Sequence, residues 1–344
     1  MTLARLDLFA FPRARLAHLP TPLEPTRLGD GAVRIWMKRD DCTGLGMGGN
    51  KVRKLEFTLG DALENGASLL ITSGARHSNH VRQTAAAAAR LGLRCQAVLH
   101  DPIDRLTDFY AASGNLLLDK LFGAEVHLAA DAEAATEAKI ADLLRQAHAA
   151  GERPYVVPLG ASNGFGSLGY ALCAEEILGQ CALQAIRPTA ILLATGSGGT
   201  HAGLLGGLRL LGSDLPVIGI SVSEPASVKR ARVRAVLDEM LALLAPAVPV
   251  PDSDILVLDD YVGDGYALPT AAANAAIRRL AESEGLLLDP VYTAKAMAGL
   301  LDMAAAGRLS GDVLFLHSGG TPALFAYADD FLSPTRLEEA FPLC

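Results

Sequence analysis

The chain has 344 residues, half of them apolar and a fifth charged, which is enough for a sizeable buried core arranged as two lobes. Its 30 basic and 38 acidic residues leave a formal charge of −8, which argues against a nucleic-acid or anionic-membrane partner. Five cysteines (Cys42, Cys95, Cys173, Cys181, Cys344) are scattered without paired short spacing, as expected of reduced thiols in a cytoplasmic protein. No apolar run reaches the roughly 18 residues of a membrane span. The N-terminal stretch is interrupted by arginines, so a secretory signal is not expected.

Along the chain, short apolar β-rich runs alternate with alanine- and leucine-rich stretches of helical length. Strands are expected at 68–73, 94–100, 155–159, 190–195, 217–222, 255–258, 286–288 and 313–317. Helices are expected at 81–91, 133–149, 168–178, 228–244 and 270–284. Such alternation predicts an α/β fold of parallel sheets covered on both faces, with ligands at the carboxyl ends of the strands. The proline-dense stretch 246–251 reads as a surface connection.

Polar, glycine-containing segments follow several of these strands. Gly48–Gly49–Asn50–Lys51–Val52–Arg53–Lys54 opens a helix behind a flexible turn. Burial and the nearby Arg53 and Lys54 charges would depress the Lys51 amine, as an imine-forming lysine requires. A solvated basic helix start is the plainer alternative. Ser73–Gln83 runs from a strand end into an alanine helix. Ser78 or Asn79 can cap that helix, or its exposed N–H groups can grip a carboxylate. His77 and His80 lack a third ligand of matching spacing, so no metal site is expected.

Thr195–Gly196–Ser197–Gly198–Gly199–Thr200 is a strand-to-helix glycine turn able to hold a phosphate on backbone N–H groups. It lacks the Lys-Ser/Thr ending of a P-loop. It also lacks an acidic residue closing the next strand, Glu224 falling just beyond it. Asp289–Thr293 (DPVYT) and Tyr266, in a glycine-containing loop, complete the set. Asp40 and Asp41 after Lys38 and Arg39 look like a structural charge cluster.

GGNKVRKLEF, SNHVRQTAA, GSGGTHAGL and DPVYTAKAMAGL, in this order, resemble the D-cysteine desulfhydrase and 1-aminocyclopropane-1-carboxylate deaminase group of pyridoxal-phosphate enzymes. The likeness runs from PTPLEP (20–25) and KRDD (38–41) to SGGTPALFAY (318–327). It implies a tryptophan-synthase-β-like fold, fold type II. Two open parallel-sheet lobes would hold pyridoxal 5′-phosphate in the cleft between them. The larger lobe would comprise 1–52 and 165–344, the smaller inserted lobe 53–164, and the enzyme would be a homodimer.

By the same resemblance, Lys51 is the Schiff-base lysine, and Lys54 with the turn Gly196–Thr200 holds the cofactor phosphate. Asn79 bonds the ring hydroxyl. Ser78, Asn79, His80 and His77 hold a small amino-acid substrate, Ser78 with a part in proton transfer. Tyr266 and Tyr292 face the substrate, and Thr293 lies at the pyridine nitrogen. The deaminases resemble SNQ with a glutamate at that last position. SNH with neutral Thr293 implies an unprotonated ring and β-elimination, giving pyruvate, ammonia and sulfide from D-cysteine. The α-proton would be removed by Lys51 or Ser78.

Arg76 and His77 stand where the family usually has glutamine before SNH. They would place positive charge by the carboxylate loop, as a sulfonate substrate needs, unless they are a surface substitution without effect. The L-cysteate sulfo-lyases of the group share the KRDDCTGL look of 38–45. The deaminase activity, a nucleotide-binding module built on the 195–200 turn and a silent cofactor-binding protein remain as competing readings.

Overall fold

In the computed structural model, residues 5–29, 31–105, 107–130, 132–244 and 248–332 are described. Strands β1 (Leu23–Pro25) and β2 (Val33–Arg39) lead to helix α1 (Lys51–Glu64). Then come β3 (Leu69–Ala75), α2 (Asn79–Leu91), β4 (Arg94–His100), α3 (Asp108–Ala112) and α4 (Gly114–Leu121). The run β5 (Glu125–Leu128), α5 (Glu133–Ala149), β6 (Pro154–Val156) and α6 (Gly164–Leu183) follows.

The second half alternates β7 (Pro188–Thr195), α7 (Gly199–Leu210), β8 (Val217–Ser221), α8 (Ala226–Leu244) and β9 (Leu256–Leu258). It closes with α9 (Ala271–Glu284), α10 (Thr293–Ala305), β10 (Gly311–His317) and α11 (Thr321–Ala326).

The strands form two sheets, ordered β5-β4-β3-β6 and β1-β2-β10-β7-β8-β9. All pairings are parallel except β1 with β2, so the larger sheet carries one antiparallel edge. That edge departs from the all-parallel expectation. The C-terminal strand β10 is inserted between β2 and β7, with Leu316 opposite Lys38 and His317 opposite Arg39. Sequence positions about 40, 195, 221 and 318 therefore meet at one sheet edge, at the carboxyl ends of their strands.

Two apolar layers sandwich the larger sheet. On one face α6, α7 and α8 bury Leu168, Ile177, Leu204 and Leu237 against Ile191 and Leu314. On the other, α9 and α10 bury Ile277 and Leu300 against Val313 and Phe315. The alanines of α2 explain its place: Ala85, Ala87 and Ala88 are small enough to seat the helix closely against α1 and β3, with Leu55 and Leu70 filling the core.

Most expected elements appear with ends shifted by a few residues, and 94–100 and 133–149 keep their bounds. The expected strand at 286–288 is absent: Leu286–Leu288 is an irregular approach to α10, with Leu288 packed under that helix. Within the proline stretch, residues 246 and 247 lie outside the described residues, as does Cys344. The other four cysteines are free thiols.

Helix α6 crosses α1 at Gly169, where an added Cβ would lie 2.1 Å from the Arg53 carbonyl oxygen. Gly169→Val should therefore cost about 2 kcal/mol of stability or more, read from the urea unfolding midpoint. An unchanged midpoint would contradict this helix contact.

Candidate active site

Lys51 is the first residue of α1, placed there by Asn50, whose N–H donates to the Ser318 carbonyl at the end of β10. The Lys51 ammonium donates to Asn50 Oδ1 at 2.8 Å, and Asn50 Nδ2 donates to Thr200 Oγ1 at 2.9 Å. Burial lowers the Lys51 amine from its ordinary value to about 8, with Asp289 opposing and Arg82 reinforcing the shift. Arg53 makes no such contribution. Its guanidinium turns away and donates to Asp40 and Glu176. The charge expected from Arg53 and Lys54 is supplied instead by Arg82 from α2.

The glycine turn lies between β7 and α7. Gly198 takes φ +89°, which a side chain would strain, and so the turn can present consecutive N–H groups at the helix start. Ser162, before α6, braces the turn: it accepts from Gly199 N–H at 3.2 Å and shares a hydrogen bond with Ser197 Oγ at 2.7 Å. Lys54, one helical turn beyond Lys51, donates to the same Ser162 oxygen at 3.0 Å. Burial and the Lys51 charge push its amine well below the ordinary lysine value. On the far side Lys229 of α8 donates to the Gly196 carbonyl at 2.9 Å and to Glu224, which also pairs with Arg232.

The third wall is the start of α2. Ser78 is its N-cap and accepts from Val81 N–H, leaving its own hydroxyl proton free of that bond. Asn115 of α4 donates to Asn79 Oδ1 at 2.9 Å, which fixes the Asn79 amide with its NH2 end as the outward donor. The Thr72 hydroxyl donates to Val157 O at 3.0 Å, so its 2.7 Å contact with His80 Nε2 has the imidazole as donor. Burial and the Lys51 and Lys54 charges hold the His80 pKa well below the ordinary histidine value, so the ring is neutral.

His77 is also neutral, pushed down to about 4 by burial, with Nε2 on the Tyr110 carbonyl at 2.7 Å. Arg76 is paired with Asp101. The positive charge expected beside this loop is therefore cancelled.

Tyr266 and Tyr292 share a hydrogen bond of 2.5 Å, and the Lys51 ammonium lies 5.8 Å from the Tyr292 ring centroid. Burial raises Tyr266 to about 12 and Tyr292 further, so both phenols stay protonated. Thr293 donates its hydroxyl proton to Asp289 Oδ1 at 2.7 Å and accepts from Asp289 N–H. Asp289 in turn accepts from the N–H groups of Val291, Tyr292 and Thr293, a carboxylate cap on α10.

These groups surround one cavity of about 400 Å³. Lys51, Ser78, Asn79 and His80 line it, with Tyr266 and Tyr292. Gly196, Ser197, Gly198 and Thr200 form its far wall. Lys54, Gly199 and Thr293 stand behind the wall, and His77 is directed to Tyr110 instead. Sequence reasoning missed Asn50, Ser162, Asn115 and Lys229. Asn50 was within reach, since it adjoins Lys51; the others meet the site only through the fold.

An aldehyde-bearing, phosphorylated cofactor suits this constellation. A buried amine poised near neutrality faces a turn whose helix N-terminus and adjacent lysine favour a phosphate.

Residues 14–319 match the family model for pyridoxal-phosphate dependent enzymes. The chain belongs to that family, and its cofactor is pyridoxal phosphate. It is 47% identical over 324 residues to a D-cysteine desulfhydrase of Salmonella choleraesuis (strain SC-B67), covering 92% of this chain and 96% of that protein. A D-cysteine desulfhydrase of Salmonella typhi is 46% identical over 321 residues, with the same shares covered. Among solved structures, an ACC deaminase homologue superposes with a TM-score of 0.82 at 39% identity, covering 93% of this chain and 95% of that one. A fungal L-serine ammonia-lyase from Rhizomucor miehei, at 20% identity and a TM-score of 0.65, shares the fold, with 92% of this chain and 98% of that one covered.

Nitrogen-15 NMR should find His77 neutral, with the proton on Nε2, down to about pH 5, and His80 neutral with the same tautomer at about pH 7. A titration of either ring near the ordinary histidine value would contradict the neutral state assigned above, and a proton found on Nδ1 would contradict the tautomer.

Proposed function

We propose that this enzyme is a β-eliminating carbon–sulfur lyase acting on D-cysteine and releasing pyruvate, ammonia and sulfide. The observation that carries the reading is the Lys51 amine, held near neutrality beside a protonated tyrosine pair in one cavity. The strong likeness to D-cysteine desulfhydrases over nearly the whole chain supports the substrate.

Lys51 would hold the cofactor covalently. Lys54, Ser162 and the turn Gly196–Thr200 would hold its phosphate, and Asn79 its ring hydroxyl. The bound cofactor supplies a carbonyl carbon that joins to amines and a ring that withdraws electrons from the adjacent carbon.

The chain's own groups do the rest. First-turn N–H groups of α2 at Asn79 and His80, with the Ser78 hydroxyl, would bind the substrate carboxylate, because they have no intrahelical acceptor. A neutral His80 ring that has spent its N–H on Thr72 contributes no charge to that contact. The Lys51 amine, with its pKa lowered by burial to about 8, would be the base that takes the α-proton. The phenols, too weakly acidic to lose a proton in the resting site, can share one between them and hold it at the departing sulfur.

Thr293 favours elimination over opening of a cyclopropane. At the position where the family resemblance puts the ring nitrogen, its hydroxyl proton is already committed to Asp289. No acid is then offered to the ring. The cancelled charge at Arg76 and His77 disfavours a sulfonate substrate. We further take 53–164 as a smaller lobe inserted into 1–52 and 165–344, and the enzyme as a cytoplasmic homodimer.

Lys51→Ala should abolish covalent cofactor attachment, seen as loss of the visible absorption band, and reduce pyruvate formation by at least about 1,000-fold. D-cysteine should give pyruvate, L-cysteate little, and 1-aminocyclopropane-1-carboxylate no 2-oxobutyrate. Reversal of that order would overturn the substrate assignment.

A second test uses pH. Below a pKa of about 8 the Lys51 amine is protonated and cannot attack a carbonyl; above it the amine is free. Uptake of pyridoxal phosphate by the apoprotein should therefore quicken as pH rises through about 8 and then level. A midpoint near the ordinary lysine value would show that burial does not tune this amine.

A further inference from the structure

The first turn of a helix is an unfavourable place for a buried cation, because the helix dipole is positive there. Lys295 occupies that place in α10, fully buried, three residues after Tyr292. No carboxylate pairs with its ammonium among the described residues. Instead it donates to two backbone carbonyls, Val262 O at 2.7 Å and Gly265 O at 2.8 Å. Burial lowers its amine to about 8, against the pull of Asp289 and Asp264. A methionine would fill the same space without that cost, so the amine calls for an explanation.

The explanation lies in the loop it grips. Gly263, Gly265 and Ala267 all take positive φ, and no strand or helix supports residues 259–270. This segment carries Tyr266. The carbonyl before Tyr266 is held by Lys295, and the carbonyl after it, on Ala267, accepts from the Tyr327 hydroxyl at 2.8 Å. Between these two anchors the Tyr266 phenol meets Tyr292, which is itself the N-cap of α10. One helix end thereby places both phenols, Tyr292 through the chain and Tyr266 through the lysine.

We propose that Lys295 is a positioning residue for the reaction, holding the Gly265 carbonyl so that the Tyr266 phenol stays against Tyr292 beside Lys51. The inference rests on the proposed role of the tyrosine pair at the departing sulfur. Lys295 stands apart from the cavity and touches neither reactant, so it acts only through the loop.

The test is a double-mutant cycle in the holoenzyme with D-cysteine as substrate, using Lys295→Met, Tyr266→Phe and both together. Lys295→Met should lower kcat by roughly 10- to 100-fold with little change in KM or in cofactor affinity. In the Tyr266→Phe background the same substitution should have almost no further effect, because the group it positions is gone. Lys295→Arg, which keeps two donors and the charge, should recover most of the lost rate.

If Lys295→Met fails to fold, Lys295→Gln serves in the same cycle. Multiplicative losses in the double variant, or full kcat in Lys295→Met, would overturn the positioning role. A wild-type rate in Tyr266→Phe alone would instead remove the tyrosine role on which it rests.

Discussion

The guanidinium of Arg53 is the fixed point of the molecule. Buried to 1% exposure, it is bound by both oxygens of Asp40, which follows β2, and by both oxygens of Glu176 on α6. Lys38 joins Glu176 from the strand, and the Tyr170 hydroxyl donates to Asp40. Removing one partner from such a network strands a buried charge and costs about 3–5 kcal/mol. Strand β2 and helix α6, distant from each other in sequence, are thereby registered to α1 within a single turn of Lys51. The amine at the helix start can then enter the cavity because the next charged residue is turned fully the other way.

That registration also decides which neighbours tune the amine. Reading Lys51, Arg53 and Lys54 as adjacent charges is sound along a chain but not around a helix, where residues two apart face in different directions. The fold sends Arg53 to Asp40 and brings Arg82 from α2 in its stead. Arg82 is itself buried and donates to the Gly48 carbonyl, so the turn before Lys51 and the charge acting on it are tied together.

The same distinction separates what the sequence reveals from what it hides. Motifs whose function is local were legible: Ser78 does cap α2, and Gly196–Thr200 does turn from strand to helix. Strand and helix alternation gave the fold class, since each run is long enough to show its period. The short β1 and the half-buried β2, whose alternating burial is interrupted at Met37–Lys38, gave no such run. Leu286–Leu288 misled because three apolar residues in a row read as a strand, whereas only Leu288 is buried, under α10, and Leu287 is exposed. Arg76 and His77 looked like added charge because Asp101 and the Tyr110 carbonyl, which neutralise one and occupy the other, lie on separate elements.

The buried lysines differ in how their charge is met. Lys38 and Lys229 meet carboxylates, so their charge is compensated within the protein. Lys51 and Lys54 hydrogen-bond only to neutral oxygens, of Asn50 and Ser162, and both amines are pulled down toward neutrality by burial. Such a pair is uncomfortable when both amines are charged, since the Lys51 charge disfavours the proton on Lys54. A guest that bonds covalently to the first and brings negative charge to the second relieves both problems at once. The helix N-terminus at Gly199–Thr200 adds its own preference for an anion at the same wall. On the proposed roles of Lys51 and Lys54, selectivity for a phosphorylated aldehyde would follow from two adjacent lysines left without counter-ions, not from any single strong contact.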